Sequence, residues 1–169
     1  TGSYLTTLDS SNTTPGCSVR ETTLTYTTAG TCVIAVTRSS DTNYLARTDA
    51  VSFSIGLASQ TITFNSLSAR SYSSDTFTVS ATSSASLIVV FTSGSPTICT
   101  TSGTSGSTIT LLGVGTCVIN ANQAGDSNVG AASQVSQNFT VNPRAVTVTA
   151  DAKTKAYGAS DPTLTYTIT

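Results

Sequence analysis

Apolar residues alternate with Ser or Thr along most of the chain, which is the pattern of β-strands that bury one face. We expect the alternating apolar side chains to face a core; they are Ile62 and Phe64, then Phe77, Val79 and Ala81, then Ile109 and Leu111, then Cys117, Ile119 and Ala121, then Phe139 and Val141. No stretch has the 3.6-residue period of an amphipathic helix. Short strands separated by Gly-containing turns predict an all-β protein made of antiparallel β-sandwiches.

One segment departs from this alternation. Residues Leu87-Ile88-Val89-Val90-Phe91 are apolar at every position. A strand that is apolar on both faces is typical of the centre of a covered sheet. The pattern therefore predicts a central strand here, covered on both sides.

The chain contains an internal repeat. Residues 23–34 recur as residues 108–119, with an offset of 85 residues that takes Cys32 to Cys117, and Asp41-Thr42-Asn43 recurs at the same offset as Asp126-Ser127-Asn128. Repeats of this length indicate tandem small domains. We predict the end of one unit over residues 1–57, a complete unit over 58–143 and the first strands of a third over 144–169. This phasing suggests a piece of a longer protein, whose incomplete end units neighbouring chains could complete by strand addition.

The four cysteines occupy matching places in the repeat. Cys17 and Cys32 lie in the first unit, and Cys99 and Cys117 lie in the second. Four cysteines allow three connectivities, and a self-contained repeat favours pairing within each unit. Each bond would contribute about 3 kcal/mol by closing a loop of roughly 15 to 18 residues. Free thiols and a zinc site stay open as alternatives, whereas disulfides would indicate an oxidising, extracellular setting.

Composition disfavours several functional classes. Thr and Ser make up roughly 37% of the chain, 9% of the residues are charged, and the net charge is −1. The chain has no His, and its two lysines are Lys153 and Lys155. It thus lacks the usual general base and the commonest metal ligand, so we expect neither an enzyme nor a cofactor. Seven cations give no electrostatic footprint for nucleic acid, and no apolar run is long enough to cross a membrane.

The repeated motifs resemble those of a known family. Gly30-Thr31-Cys32-Val33-Ile34 followed by Asp41-Thr42-Asn43-Tyr44, with its second copy from Gly115, is similar to bacterial immunoglobulin-like repeats of long surface proteins. The tail from Val146 through Tyr157-Gly158 to Tyr166 resembles the start of the mostly-β, glycine-rich repeat called MBG. The resemblance implies tandem immunoglobulin-like sandwiches in an extracellular adhesin stalk or filament. Val129 stands where the other unit has Tyr44.

Two kinds of surface site are suggested by short motifs. Asp41, Asn43, Asp126 and Asn128 could supply oxygen ligands to calcium, but each loop offers one carboxylate, and Asx-turns explain the residues better. Asn12 and Asn138 begin matches to the N-glycosylation motif, which are weak in a bacterial chain.

Two functions follow as hypotheses. The first is a non-catalytic structural module at the cell surface, whose partners are neighbouring repeats or identical subunits of a filament. The alternative is a carbohydrate- or protein-binding module, which would need an exposed aromatic platform. The aromatic residues that could provide one are Tyr26, Tyr44, Tyr72 and Tyr157.

Overall fold

The computed structural model describes residues 6–9, 16–20, 23–38, 40 and 42–169. Its strands are β1 (Thr6–Asp9), β2 (Cys17–Arg20), β3 (Thr23–Tyr26), β4 (Gly30–Arg38), β5 (Arg47–Ile55), β6 (Ile62–Thr63), β7 (Arg70–Ser71), β8 (Phe77–Thr78), β9 (Thr82–Ser83), β10 (Val90–Ser93), β11 (Cys99–Ser102), β12 (Thr108–Leu111), β13 (Gly115–Asn122), β14 (Val135–Asn142), β15 (Val148–Ala150) and β16 (Tyr166–Ile168). A single turn of 3-10 helix covers Thr104–Gly106.

The prediction of an all-β protein is confirmed. Within the described ranges every regular element except that 3-10 turn is a strand, and the strands form several small sheets. No helix in this part of the chain has the length and apolar character needed to cross a membrane. Ser and Thr on the exposed faces and apolar residues on the buried ones account for this strand content.

The chain divides into two compact units that each combine several segments. The first comprises Thr1–Phe64, Ser80–Phe91 and Ala121–Val135. It contains the antiparallel sheet β1-β4-β5 and the two-stranded sheets β2-β3 and β6-β9. Its most buried apolar side chains are Cys32, Ile62, Phe64, Val89, Phe91 and Ala121.

The second unit comprises Asn65–Val79, Thr92–Asn120 and Ser136–Thr169. It contains the sheet β11-β12-β8, the hairpin β15-β16 and most of the four-stranded sheet β10-β13-β14-β7. Its most buried apolar side chains are Val79, Cys99, Ile109, Leu111, Cys117, Ile119, Phe139 and Val141. Phe77 and Phe139 pack edge to face, with ring centroids 5.7 Å apart. The domain boundaries predicted at residues 57 and 143 stay predictions.

The alternation predicts the buried face of most strands correctly. Three apolar pairs are buried as predicted: Ile62 and Phe64, Ile109 and Leu111, and Phe139 and Val141. Thr63, between the first pair, and Thr140, between the last pair, are exposed. On β13, Ile119 is fully buried whereas Asn120 is half-buried. The sequence therefore predicts which face of a strand is buried wherever one face is apolar and the other is polar.

The prediction of a doubly covered strand at residues 87–91 is wrong. Ile88 is 74% exposed and Val90 is 45% exposed, whereas Val89 and Phe91 are buried. The regular strand begins only at Val90, and β10 lies at the edge of its sheet. The core covers only the face that carries Val89 and Phe91, so Ile88 and Val90 on the opposite face meet solvent.

The pairing of β7 with β14 departs from the antiparallel prediction. β7 adds to β14 in parallel, with Arg70 opposite Val141 and Ser71 opposite Asn142. The Arg70 guanidinium lies 3.8 Å from the centre of the Phe77 ring. A cation over an aromatic face stabilises the contact, and here it joins the short β7 strand to β8 of the same unit.

Candidate functional site

Two disulfide bonds join Cys17 to Cys32 and Cys99 to Cys117. The Cα atoms of the two pairs lie 6.0 and 5.8 Å apart. Both bonds lie within a predicted repeat, as its self-contained character leads us to expect, and they leave no cysteine free. Each bond ties the first strand of a hairpin to the strand that follows the hairpin.

The loops that follow the two hairpins begin with the same backbone hydrogen bond. After β3, the N–H of Thr27 donates a hydrogen bond to the C=O of Gly16, at 2.8 Å. After β12, the N–H of Leu112 donates to the C=O of Ile98, also at 2.8 Å. The loops 27–29 and 112–114 occupy matching places in the repeat and begin with the same backbone hydrogen bond, and we call them the first and the second acceptor loop.

Asp126 organises a tight turn between β13 and β14. Its carboxylate Oδ1 accepts hydrogen bonds from the backbone N–H groups of Asn128 (2.8 Å) and Val129 (2.9 Å). Gly125 precedes it with φ +81°, and a Cβ there would lie 2.2 Å from the carbonyl oxygen of Val129. This is the Asx-turn geometry that the sequence favours over a calcium loop.

The turn presents Asn128 to the first acceptor loop. The side-chain oxygen of Asn128 accepts a hydrogen bond from the N–H of Ala29 at 3.0 Å, and its amide nitrogen donates to the C=O of Thr27 at 3.4 Å. The backbone of the same turn also holds Ala58, whose N–H donates to the C=O of Asn128 (2.8 Å) and whose C=O accepts from Gly130 (2.9 Å). We call the two side-chain bonds the Asn128 contact; they connect residues of the first two predicted repeats.

A buried Gln supports this turn, and the sequence analysis missed it. Gln60 is 7% exposed. Its side-chain nitrogen donates to the C=O of Gly130 at 2.7 Å and to the side-chain oxygen of Gln123, and its oxygen accepts from the Ser83 hydroxyl at 2.5 Å. Its partners lie far along the chain, so the only signal was an amide side chain beginning an alternating strand.

A groove of about 570 Å³ lies beside the Asn128 contact. Tyr26 is 59% exposed and provides an aromatic face, while Phe53 and Ile55 provide partly buried apolar surface. The remaining lining residues are Thr27, Thr28, Ala29, Ser54, Gly56, Ala58 and Asn128. An aromatic face next to hydroxyl and amide groups can bind a ligand that has both apolar and hydrogen-bonding surfaces.

Two of the residues proposed for calcium have side-chain oxygens that accept hydrogen bonds from the backbone. Asp126 and Asn128 bind backbone groups as given above. Asn43 is exposed, and Asp41 lies outside the described residues. In the described ranges no three of the Cys, Asp and Glu side chains cluster as metal ligands.

The other predicted sites are dispersed. Asn138 is exposed on β14, and Asn12 lies outside the described residues. Tyr44, Tyr72 and Tyr157 are exposed and line no part of the groove.

Charged groups form two exposed ion pairs among the described residues. The Arg47 guanidinium donates hydrogen bonds to both carboxylate oxygens of Asp49, at 3.0 and 3.2 Å. The Lys155 Nζ atom lies 2.5 Å from Asp161 Oδ1. The hydrogen bonds and charge of Asp49 raise the pKa of Arg47 above its usual value. Arg47 is charged in either case, and exposed pairs of this kind contribute little to folding.

Comparisons with known proteins identify one part of the chain. Residues 146–169 match the family described as MBG domain (YGX type). A search of curated protein sequences finds no match. Among solved structures the chain is similar to surface layer protein SbsC, domains 1–6, with 17% identity and a TM-score of 0.36. That alignment covers 97% of this chain and 28% of the surface layer protein chain. The chain therefore spans a little over a quarter of the length of that structure.

The structure and the comparisons together define a class. The chain is an all-β, disulfide-bonded protein whose residues 146–169 resemble an MBG domain of the YGX type. The tandem immunoglobulin-like arrangement of the preceding residues stays a prediction.

Proposed function

We propose that the chain is a non-catalytic structural module of an extracellular bacterial surface protein, either a spacer in an adhesin stalk or a building unit of a surface filament. The observation that carries the proposal is the Asn128 contact, because it links one predicted repeat to the next through fixed hydrogen bonds. A spacer needs such coupling between neighbours and a separate internal brace for each repeat. The two disulfides provide the braces and favour an oxidising location.

Hydrogen exchange tests the coupling. The amide of Ala29 donates to Asn128, so Asn128→Ala should speed its exchange while the amides of β13 keep their protection. Asn138→Ala is the matched control, since Asn138 is exposed on β14. An Ala29 amide that exchanges equally fast in both variants would show that the Asn128 contact does not couple the repeats.

Antibody labelling tests the location. An antibody against this chain should label intact cells of the producing bacterium without permeabilisation. Signal that appears only after permeabilisation would contradict a surface module.

The groove favours a second function, a carbohydrate-binding module. Sugars stack their apolar face on aromatic rings and use their hydroxyls for hydrogen bonds, and Tyr26 offers such a ring beside Asn128. A glycan array with the native chain and with Tyr26→Ala tests this. Binding that is lost in Tyr26→Ala and kept in Tyr157→Ala, an exposed tyrosine outside the groove, would establish it. No retained sugar would leave the spacer as the function.

A further inference from the structure

The two acceptor loops share a second backbone feature besides their common hydrogen bond. Gly30 and Gly115, which directly follow the two loops, have φ values of +138° and +133°. These values lie in a region that L side chains rarely adopt. The backbone therefore leaves both loops in the same uncommon, positive-φ conformation. A group shaped to bind the backbone of the first acceptor loop therefore has a second, matching surface on this molecule.

The second acceptor loop is exposed. Leu112 and Val114 are about half exposed, at 49% and 50%. Val114 is the counterpart of Ala29, whose N–H donates a hydrogen bond to Asn128. Among the described residues, no acceptor binds the Val114 N–H. An amide donor between two exposed apolar side chains is a surface that a matching partner would cover.

The repeat also supplies a second copy of the group that binds an acceptor loop. Asn43 stands 85 residues before Asn128 and is exposed. Tyr44 and Leu45, the next two residues, are exposed apolar side chains, and Leu45 is 88% exposed. They offer apolar surface of the kind that Leu112 and Val114 present.

We infer that Asn43 of a second copy of this chain binds the second acceptor loop, with Tyr44 and Leu45 covering Leu112 and Val114. The argument extends an interface already present inside the molecule, because Asn128 binds the first acceptor loop through backbone atoms that the second loop also offers. The inference deepens the proposed function by naming the contact between filament subunits.

The two surfaces of this interface are different, which determines the kind of assembly. Asn43 and the second acceptor loop are separate patches, so each copy can bind one neighbour through each patch. Such contacts between two different surfaces can continue from copy to copy into open chains or rings. The contact is small, and we expect a dissociation constant of about 1 mM for a single junction.

Sedimentation and NMR of the whole chain test the inference. The average mass should rise with concentration through the millimolar range, and the Val114 amide resonance should shift downfield as its N–H gains an acceptor. Asn43→Ala should abolish both effects, whereas the matched Asn138→Ala should keep them. Val114→Pro removes the N–H and should also abolish association, whereas Val114→Ala, which keeps the N–H, should retain it at least in part.

Mixing the two defective variants is the decisive arm. Asn43→Ala keeps an intact acceptor loop and Val114→Pro keeps an intact Asn43, so their mixture should form one-to-one dimers that grow no further. Association that survives in Asn43→Ala, a mixture that stays monomeric although both variants fold, or a native chain that stays monomeric at several millimolar would overturn the inference. If Val114→Pro fails to fold, the Asn43→Ala comparison and the Val114 shift still decide it. None of these failures touches the spacer function, which depends on the Asn128 contact within one chain.

Discussion

Gln60 is a buried residue whose side chain makes three hydrogen bonds in the first unit. It binds Ser83 on β9 and both Gln123 and Gly130 in the connection between β13 and β14. Gln60→Ala would leave a buried hydroxyl and a carbonyl without this partner, and such groups are costly to bury unpaired. We expect the free energy of unfolding to fall by about 2 kcal/mol in chemical denaturation. The exposed Gln134→Ala is the control and should change it by less than about 0.5 kcal/mol.

Asp126 makes a smaller contribution at the same scale. Asp126→Ala removes the acceptor for two backbone amides and should lower the free energy of unfolding by about 1 kcal/mol. Asp126→Asn keeps an acceptor oxygen and should recover most of that loss. Adding a calcium chelator should leave the melting temperature of the native chain unchanged. A chelator-sensitive melting temperature that Asp126→Asn abolishes would instead show that the loop binds calcium.

At the scale of elements, the disulfides limit how far the chain can be extended by force. Cys17 and Cys32 are 15 residues apart in sequence, and Cys99 and Cys117 are 18 apart. At about 3.5 Å per extended residue, each bond withholds about 5 or 6 nm of chain. Single-molecule stretching should therefore show about 10 nm more contour length after reduction. Replacing Cys99 and Cys117 by Ser should produce the larger of the two increments without a reducing agent.

The edge strand β10 gives the other prediction at this scale. Phe91 is buried and packs against Phe64, with ring centroids 5.4 Å apart, whereas Ile88 faces solvent. Phe91→Ala should cost about 3 to 5 kcal/mol of stability. Ile88→Thr should change it by less than about 0.5 kcal/mol, measured in the same denaturation experiment. A large loss from Ile88→Thr would restore the doubly covered strand that the sequence suggested.

These elements also show how far the sequence could predict the structure. Alternation identified the buried faces of β13 and β14, because a period of two depends only on local order. It failed at Ile88, because whether an apolar face is covered depends on which distant parts of the chain pack over that face. It missed the Gln60 bonds and the Asn128 contact for a related reason: the partner of Asn128 is 99 residues away at Ala29. The Asp-x-Asn motif predicted a turn but not what the turn would bind.

For the molecule as a whole, the missing histidines have a measurable consequence. The chain has no His, the side chain that normally changes charge near neutral pH. The Arg47 pKa is raised from a value already far above this range, so Arg47 keeps its charge throughout. We therefore expect the free energy of unfolding to be nearly constant between about pH 6 and 8. A slope in denaturation midpoints across that interval would require a titrating group other than histidine.

The Asn128 contact binds only main-chain atoms of Thr27 and Ala29. Every residue carries those atoms, so side chains in the loop can mutate without abolishing the attachment. A gene encoding many such units could then lose, gain or exchange copies by recombination, and neighbouring units would still form this contact. Length would become an inherited variable that selection can adjust unit by unit.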